Sequence, residues 1–263
     1  MSSFKKPDEL KVIQEGGEKL GVILSKLAKM AAPGVTLAQL DTEAERLIIE
    51  AGGVPSFKGY KARASDTPFP STICACVNEE LVHAPGNRER ALHAGDILSI
   101  DIGMRWPHPP LTKGGLGGVR DGFFTDTALT ITLGPVKKEV ELLLERTQKA
   151  LEIGIAEVRP GKSVADIGRA IEAYLKPFGY GIVRALVGHG VGYKVHEPPQ
   201  VPNYYQKALE NIKIEPGMVL ALEPMVTLGA HEVKTLDDGW TIVPVDDSLC
   251  AHFEHTVIAT DGD

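Results

Sequence analysis

The chain has 263 residues, 43% of them hydrophobic and 24% charged, an ordinary globular composition with ample length for a sizeable core. A net charge of −7 disfavours a general nucleic-acid binder, which would carry a basic face or stripe. No apolar run reaches the roughly 18 residues of a membrane span, and the start, MSSFKKPDEL, lacks the apolar core of a secretory signal. Cys74, Cys76 and Cys250 form no disulfide pattern, and the first two are too close and too isolated for a zinc ribbon. They are expected as buried or pocket-lining thiols in a reducing, cytoplasmic setting.

In chain order, Leu10 to Ala31 reads as a helix, with Leu20, Ile23, Leu24 and Leu27 at the spacing of a core-facing stripe. Pro33-Gly34 ends it, and Thr36 is placed to cap a second helix running to about Ala51. The run from Val54 to Pro70 is irregular, and Ser71 to Asn78 is apolar enough for a strand. Two β-prone segments follow, each with one carboxylate in apolar company: Asp101 in GDILSIDIG and Asp126 in FFTDTALTIT. Between them Met104 to Asp121, with WPHPP and GGLGG, predicts an extended hairpin connection. A third helix is expected over Val136 to Val158, and a fourth from the cap Ser163 to about Leu175. Strand-like runs then carry His189, Glu223 and Glu254.

The chain repeats itself. Pro33-Gly34-Val35-Thr36 returns as Pro160-Gly161-Lys162-Ser163, an offset of 127 (160 − 33). Asp101, six residues after Gly95, returns as Glu223, six after Gly217, an offset of 122 (223 − 101). Asp126 and Glu254 are offset by 128 (254 − 126), each opening a β-branched, apolar run. The expectation is one catalytic domain over 1–263 built of two related halves, about 1–134 and 135–263. It would be an α+β fold with a curved, mainly antiparallel sheet covered by two helix pairs.

Four carboxylates meeting at one place cannot all stay ionised without compensating cations. A pair of divalent ions held by carboxylates and a histidine is the simplest compensation. Two such ions can hold a bridging hydroxide and polarise a carbonyl. His189, between glycines in VGHGVG with His196 seven residues on, fits that set, since glycines let a backbone come close to a ligand or metal. The same stretch lacks the spacing and lysine of a phosphate-binding loop, and no G-x-S-x-G elbow supports a serine hydrolase.

At this point the motifs resemble a known family. VNEELVHAPG, IDIG with TDTA, GHGVG with HEPPQVPNY, PGMVLALEPMV, and DGW with SLCAHFEHTV follow in order those of type I methionine aminopeptidases. The resemblance covers nearly the whole chain and implies the pita-bread fold. It implies Asp101, Asp126, His189, Glu223 and Glu254 as ligands of two divalent ions, whether cobalt, manganese, iron or zinc. Asp126 and Glu254 would bridge. His189 and Glu223 would complete one ion's shell and Asp101 the other's. Glu223 would also shuttle the proton of the water bridging the ions. His83 and His196 would flank the scissile peptide, and Tyr60, Phe69, Cys74 and Trp240 would line the methionine pocket. The implied substrates are N-termini of nascent proteins and peptides with a small second residue. The ribosome is an implied partner, the protein is expected as a monomer, and no membrane or specific nucleic acid is expected.

The chain also departs from the family pattern. His83 is followed by Ala-Pro-Gly, and extra chain stands at Lys61 to Thr67 and Met104 to Asp121. Val195 stands where an aromatic commonly precedes the second histidine, which would widen that side of the pocket. The alternatives are an Xaa-Pro aminopeptidase or prolidase on the same fold, for which an extra N-terminal domain is expected, and a non-catalytic binding protein, for which lost ligands are expected.

Overall fold

The computed structural model describes residues 4–61, 64–65, 67–108 and 122–261. Helices α1, Pro7–Met30, and α2, Leu37–Glu50, form the first pair. The stripe Leu20, Ile23, Leu24 and Leu27 is buried against Leu37, Leu40 and Ile48 and against strand residues Ile73, Ile100 and Ile102. Thr36 does cap α2: its hydroxyl accepts from Gln39 N–H at 3.2 Å, and its own N–H donates to Gln39 Oε1 at 2.9 Å. This reciprocal arrangement satisfies donors that a helix start otherwise leaves open. Helices α3, Lys138–Ala156, and α4, Val164–Leu175, form the second pair and pack on Leu220, Leu222 and Val226.

The strands are β1 Val54–Pro55, β2 Ile73–Val77, β3 Ile97–Trp106, β4 Phe123–Thr132, β5 Gly181–Ile182, β6 Gly188–Gly190, β7 Glu197–Val201, β8 Val219–Leu222, β9 Met225–Thr227, β10 Val233–Thr235, β11 Ile242–Pro244, β12 Cys250–His252 and β13 Glu254–Ile258. The main sheet runs β1-β3-β4-β13-β8-β6-β7, with β2 also on β3. Every pairing among the described strands is antiparallel. Strands β4 and β13 meet at the middle, so the acid-bearing segments of the two repeats become neighbours. The repeat is visible in the backbone as well. Gly34 and Gly161 are left-handed at φ +92° and +88°, and Gly95 and Gly217 at +92° and +89°. Isolated bridges Thr36↔Ala91 and Ser163↔Lys213 recur at the same two offsets.

One expectation needs correction. Met104, Arg105 and Trp106 are not connection but the end of β3, paired with Thr125, Phe124 and Phe123. Their side chains suit a strand, and Trp106 Nε1 donates to Ala51 O at 2.9 Å. The first residue of the expected connection that lacks an N–H is Pro107. Residues 109–121, most of that connection, lie outside the described residues, as do 62, 63 and 66 of the Lys61–Thr67 stretch.

Candidate metal centre and active site

The register sets the carboxylates. Asp101 lies opposite Ala128 and Asp126 opposite Gly103 on the β3–β4 pair, while Glu254 opens β13 opposite Ala128. Glu223 follows β8 directly, and His189 on β6 faces Ala221 of β8. Ligand atoms of Asp126, His189 and Glu254 all lie within 4.8 Å of one another. Burial raises the Asp101 carboxyl to about 7. It also raises Asp126 and Glu254, with the neighbouring acids adding to the effect, and Glu223, with Asp101 adding. These mutual effects place all four acids within one electrostatic neighbourhood.

The cluster fits cations on its own geometry. Asp101 Oδ1 and Asp126 Oδ1 are buried without a hydrogen-bond partner among the described residues. His189 Nδ1 lies 2.9 Å from Gly190 O; a carbonyl only accepts, so Nδ1 carries the proton and Nε2 is left with a lone pair. That lone pair faces Glu223 Oε1 at 3.5 Å. Burial, and then the nearby His196, pull the His189 imidazole down to about 4, so near neutral pH it is uncharged. With Glu223 ionised, two acceptors would face each other there, and a cation between them would remove the conflict.

The glycines beside His189 have a packing reason of their own. A Cβ on Gly188 would stand 2.3 Å from Ala221 O, and one on Gly190 2.5 Å from Pro198 O. They let β6 lie against its neighbouring strands, since the atoms a Cβ would meet there are mainly backbone carbonyls.

The centre opens into a cavity of about 650 Å³ whose wall includes the metal-ligand, histidine and pocket residues that the resemblance implies: Asp101, Asp126, His189, Glu223, Glu254, His83, His196, Tyr60, Phe69, Cys74 and Trp240. Phe69 and Trp240 meet edge to face at 5.1 Å, in a cluster with Cys74, Phe57 and Tyr60. Burial, then the Asp101 charge, raise the Cys74 thiol, so Cys74 acts as an apolar wall and not as a thiolate. Phe57, Val82, Leu186, Met225 and Ile242 also line the cavity. They were not read from the sequence, because lone apolar residues in loops and short strands carry no periodic signal.

His83 is held in a left-handed backbone at φ +60°. Its loop is tied to β2 by Ala75 N–H to Ala84 O at 2.8 Å and to β11 by Leu81 N–H to Ile242 O at 2.8 Å. Strain of this kind persists where the surroundings over-determine it. Burial, then His196, pull His83 down to about 4. His196 Nδ1 is 2.8 Å from Tyr60 Oη, and its ring stands 4.4 Å from that of His189. The next residue, Glu197, is buried; it accepts from Lys194 N–H at 2.7 Å and pairs with Lys5 Nζ at 2.9 Å. The N-terminal segment thus braces the start of β7, directly after His196.

Val195, expected to widen one side of the cavity, is buried and does not itself line the wall. Burial alternates from Val195 to Val201, with His196, Pro198 and Gln200 exposed and Val195 turned inward. The chain over 192–196 is bent, and it brings His196, not Val195, to the cavity wall. His252, unnoticed in the sequence, is buried behind the centre with Nε2 3.8 Å from Glu223 Oε2.

A cluster of buried acids and one histidine, beside an apolar cavity large enough for a side chain and a peptide bond, defines a metal-dependent hydrolase. Comparison with known proteins gives the family. Residues 11–261 match the model of metallopeptidase family M24, and the chain belongs to that family. It is 44% identical over 260 residues to the methionine aminopeptidase of Borreliella burgdorferi, covering 98% of this chain and 95% of that one. It is 41% identical to methionine aminopeptidase 1 of Bacillus subtilis, covering 98% and 95%. The crystal structure of the Thermotoga maritima methionine aminopeptidase superposes with a TM-score of 0.88 at 33% identity, covering 100% of this chain and 97% of that one. No described helix is long and apolar enough to cross a membrane.

Proposed function

We propose that the chain removes the initiator methionine from proteins and peptides whose second residue is small. The observation that carries this reading is the juxtaposition of the Asp126–His189–Glu254 cluster with His83, His196 and an aromatic, sulfur-lined wall in one cavity. Asp101, Asp126, His189, Glu223 and Glu254 would together hold two divalent ions, with Asp126 and Glu254 shared between them as the family resemblance implies. The candidates are cobalt, manganese, iron and zinc, since oxygen-rich sites with one imidazole take all four. When bound, such ions supply an activated water and polarise the scissile carbonyl.

The chain's own side chains do the rest. Tyr60, Phe69, Cys74 and Trp240 seat the methionine thioether, which favours aromatic edges and soft neighbours. Burial keeps Tyr60 protonated; with its hydroxyl donating to His196 Nδ1, the remaining imidazole proton sits on Nε2. His83 and His196 are uncharged near neutral pH, so each offers one N–H to the amide, toward the developing oxyanion or the leaving nitrogen. Glu223, ionised once cations compensate the buried acids, would take the proton from the attacking water and return it to the leaving amine. The whole chain serves as one catalytic domain, with the two repeats supplying the two sides of the centre.

The same reading places the protein in the cytoplasm as a monomer acting on nascent chains, with the ribosome as a partner. The three free, buried cysteines support a reducing compartment. Metal-loaded protein should cleave Met-Ala-Ser and leave Ala-Pro peptides intact. Cleavage of Ala-Pro with Met-Ala-Ser untouched would overturn the methionine reading in favour of an Xaa-Pro enzyme.

A further inference from the structure

We infer that His252 is a positioning residue that holds the Glu223 carboxylate in its working orientation; this deepens the reading above and rests on it. The backbone of His252 is fixed through one hydroxyl. Its N–H donates to Thr130 Oγ1 at 2.9 Å, and its carbonyl accepts from the same group at 2.7 Å. Ser99 Oγ stands 2.7 Å from Thr130 Oγ1, and His252 pairs across β12–β9 with Met225. A backbone held this way leaves the side chain little choice of direction.

The ring is 2% exposed, yet neither Nδ1 nor Nε2 has a hydrogen-bond partner among the described residues. A leucine or methionine would fill that space without stranding two polar atoms, so packing alone does not account for an imidazole here. Nε2 looks onto Glu223 Oε2 at 3.8 Å, while Oε1 of the same carboxylate faces His189 Nε2 at 3.5 Å. Glu223 is therefore bracketed by two imidazoles, one on each oxygen.

The two rings differ in what they offer. His189 gives its proton to Gly190 O, so its Nε2 presents a lone pair. His252 makes no such bond, and its single proton is available on Nε2 for Oε2. The 3.8 Å separation needs to shorten by about 0.9 Å to reach an ordinary N–H···O distance. A small turn of the Glu223 carboxylate would supply that movement, and a cation held by His189 and Glu223 would favour it. The hydrogen bond would then fix the carboxylate plane and decide which oxygen is left to handle the proton. Partners of this kind typically change metal affinity or activity by about 10–100-fold when removed.

The test compares amide and apolar replacements in the full chain. Manganese(II) binding to chelated protein is followed by calorimetry, together with kcat and KM on Met-Ala-Ser and the Tm of each variant. His252→Gln, whose amide N–H reaches the same oxygen, should keep manganese affinity and kcat within about threefold. His252→Leu should lose more than about tenfold in both with KM little changed. If His252→Leu does not fold, His252→Asn takes its place: the same amide, one methylene shorter, should fail where Gln succeeds. Equal manganese affinity and kcat in the amide variant and its comparison variant, whether both normal or both reduced, would overturn the inference. The binding arm does not depend on the peptide. A wild type that fails to cleave Met-Ala-Ser would refute the proposed function and leave the positioning role to be judged on manganese affinity.

Discussion

Removing one acid from the centre should stabilise the metal-free protein, and by more as pH rises. Asp101 has an ordinary carboxyl value of 3.8 when unfolded and about 7 when folded, because burial penalises its charge. Below pH 3.8 it is protonated in both states and has no effect. Between 3.8 and 7 the unfolded chain releases a proton that the folded chain retains, so stability falls as pH rises. From pH 5 to the folded value near 7 is about two units, or ~3 kcal/mol at 1.36 kcal/mol per unit. In a chain of this size that corresponds to about 5–10 °C in Tm. The buried histidines, His83 and His189 at about 4 and His252 at about 3, work in the opposite direction below pH 6.5. A comparison of wild type with Asp101→Asn cancels that contribution. The assay is calorimetric unfolding of both proteins in chelator from pH 5 to 8. The Tm difference, variant minus wild type, should grow by about 5–10 °C up to pH 7. With saturating manganese the sign should reverse, because the wild type gains binding energy that the variant lacks. A chelated difference that is flat, or that shrinks with pH, would refute the idea that Asp101 is buried among uncompensated acids.

Further outcomes follow from the same geometry. Glu223→Ala should abolish turnover, and Asp126→Ala should lose both ions, as elemental analysis would read directly. His83→Ala and His196→Ala should each lower kcat by more than about tenfold with normal metal content, the usual scale for proton donors acting on the reacting amide; loss of metal would make either a ligand instead. Tyr60→Phe should cost roughly 2–10-fold in kcat, the worth of one neutral hydrogen bond that orients His196. On an X-Ala-Ser series, kcat/KM should be close for methionine and norleucine and clearly lower for alanine, since an apolar pocket discriminates by about 1–3 kcal/mol per missing methylene. Val195→Phe should lower stability by about 1–3 kcal/mol through overpacking and leave the leucine-to-methionine ratio unchanged.

The chemistry was legible in the sequence because the acids break a local rule twice, at the same spacing. Asp101 and Asp126 sit in apolar strands where a charge is costly, and Glu223 and Glu254 repeat them after about 125 residues. Helix boundaries follow from capping and from Pro-Gly punctuation, both local in origin, and the structure has α2 and α4 capped at Thr36 and Ser163 as expected. What was not legible depends on long-range pairing. The glycines flanking His189 suggested room for a ligand, but the carbonyls that exclude a Cβ there belong to Ala221 and Pro198. Val195 is next to His196 in sequence, yet only His196 lines the cavity and Val195 is buried away from its wall. His252 gave no signal, since its neighbours Glu223 and Thr130 are 29 and 122 positions away. Lys5, which braces Glu197 from 192 positions away, gave none for the same reason.

The central claim is that these five side chains hold two divalent ions without which nothing is cleaved. Titrating chelated protein with manganese or cobalt(II), while following Met-Ala-Ser hydrolysis and bound metal in the same samples, tests it directly. Hydrolysis should be absent without metal and rise with bound metal, with binding saturating at two ions per chain. Full turnover in chelated protein carrying no bound metal would contradict the account.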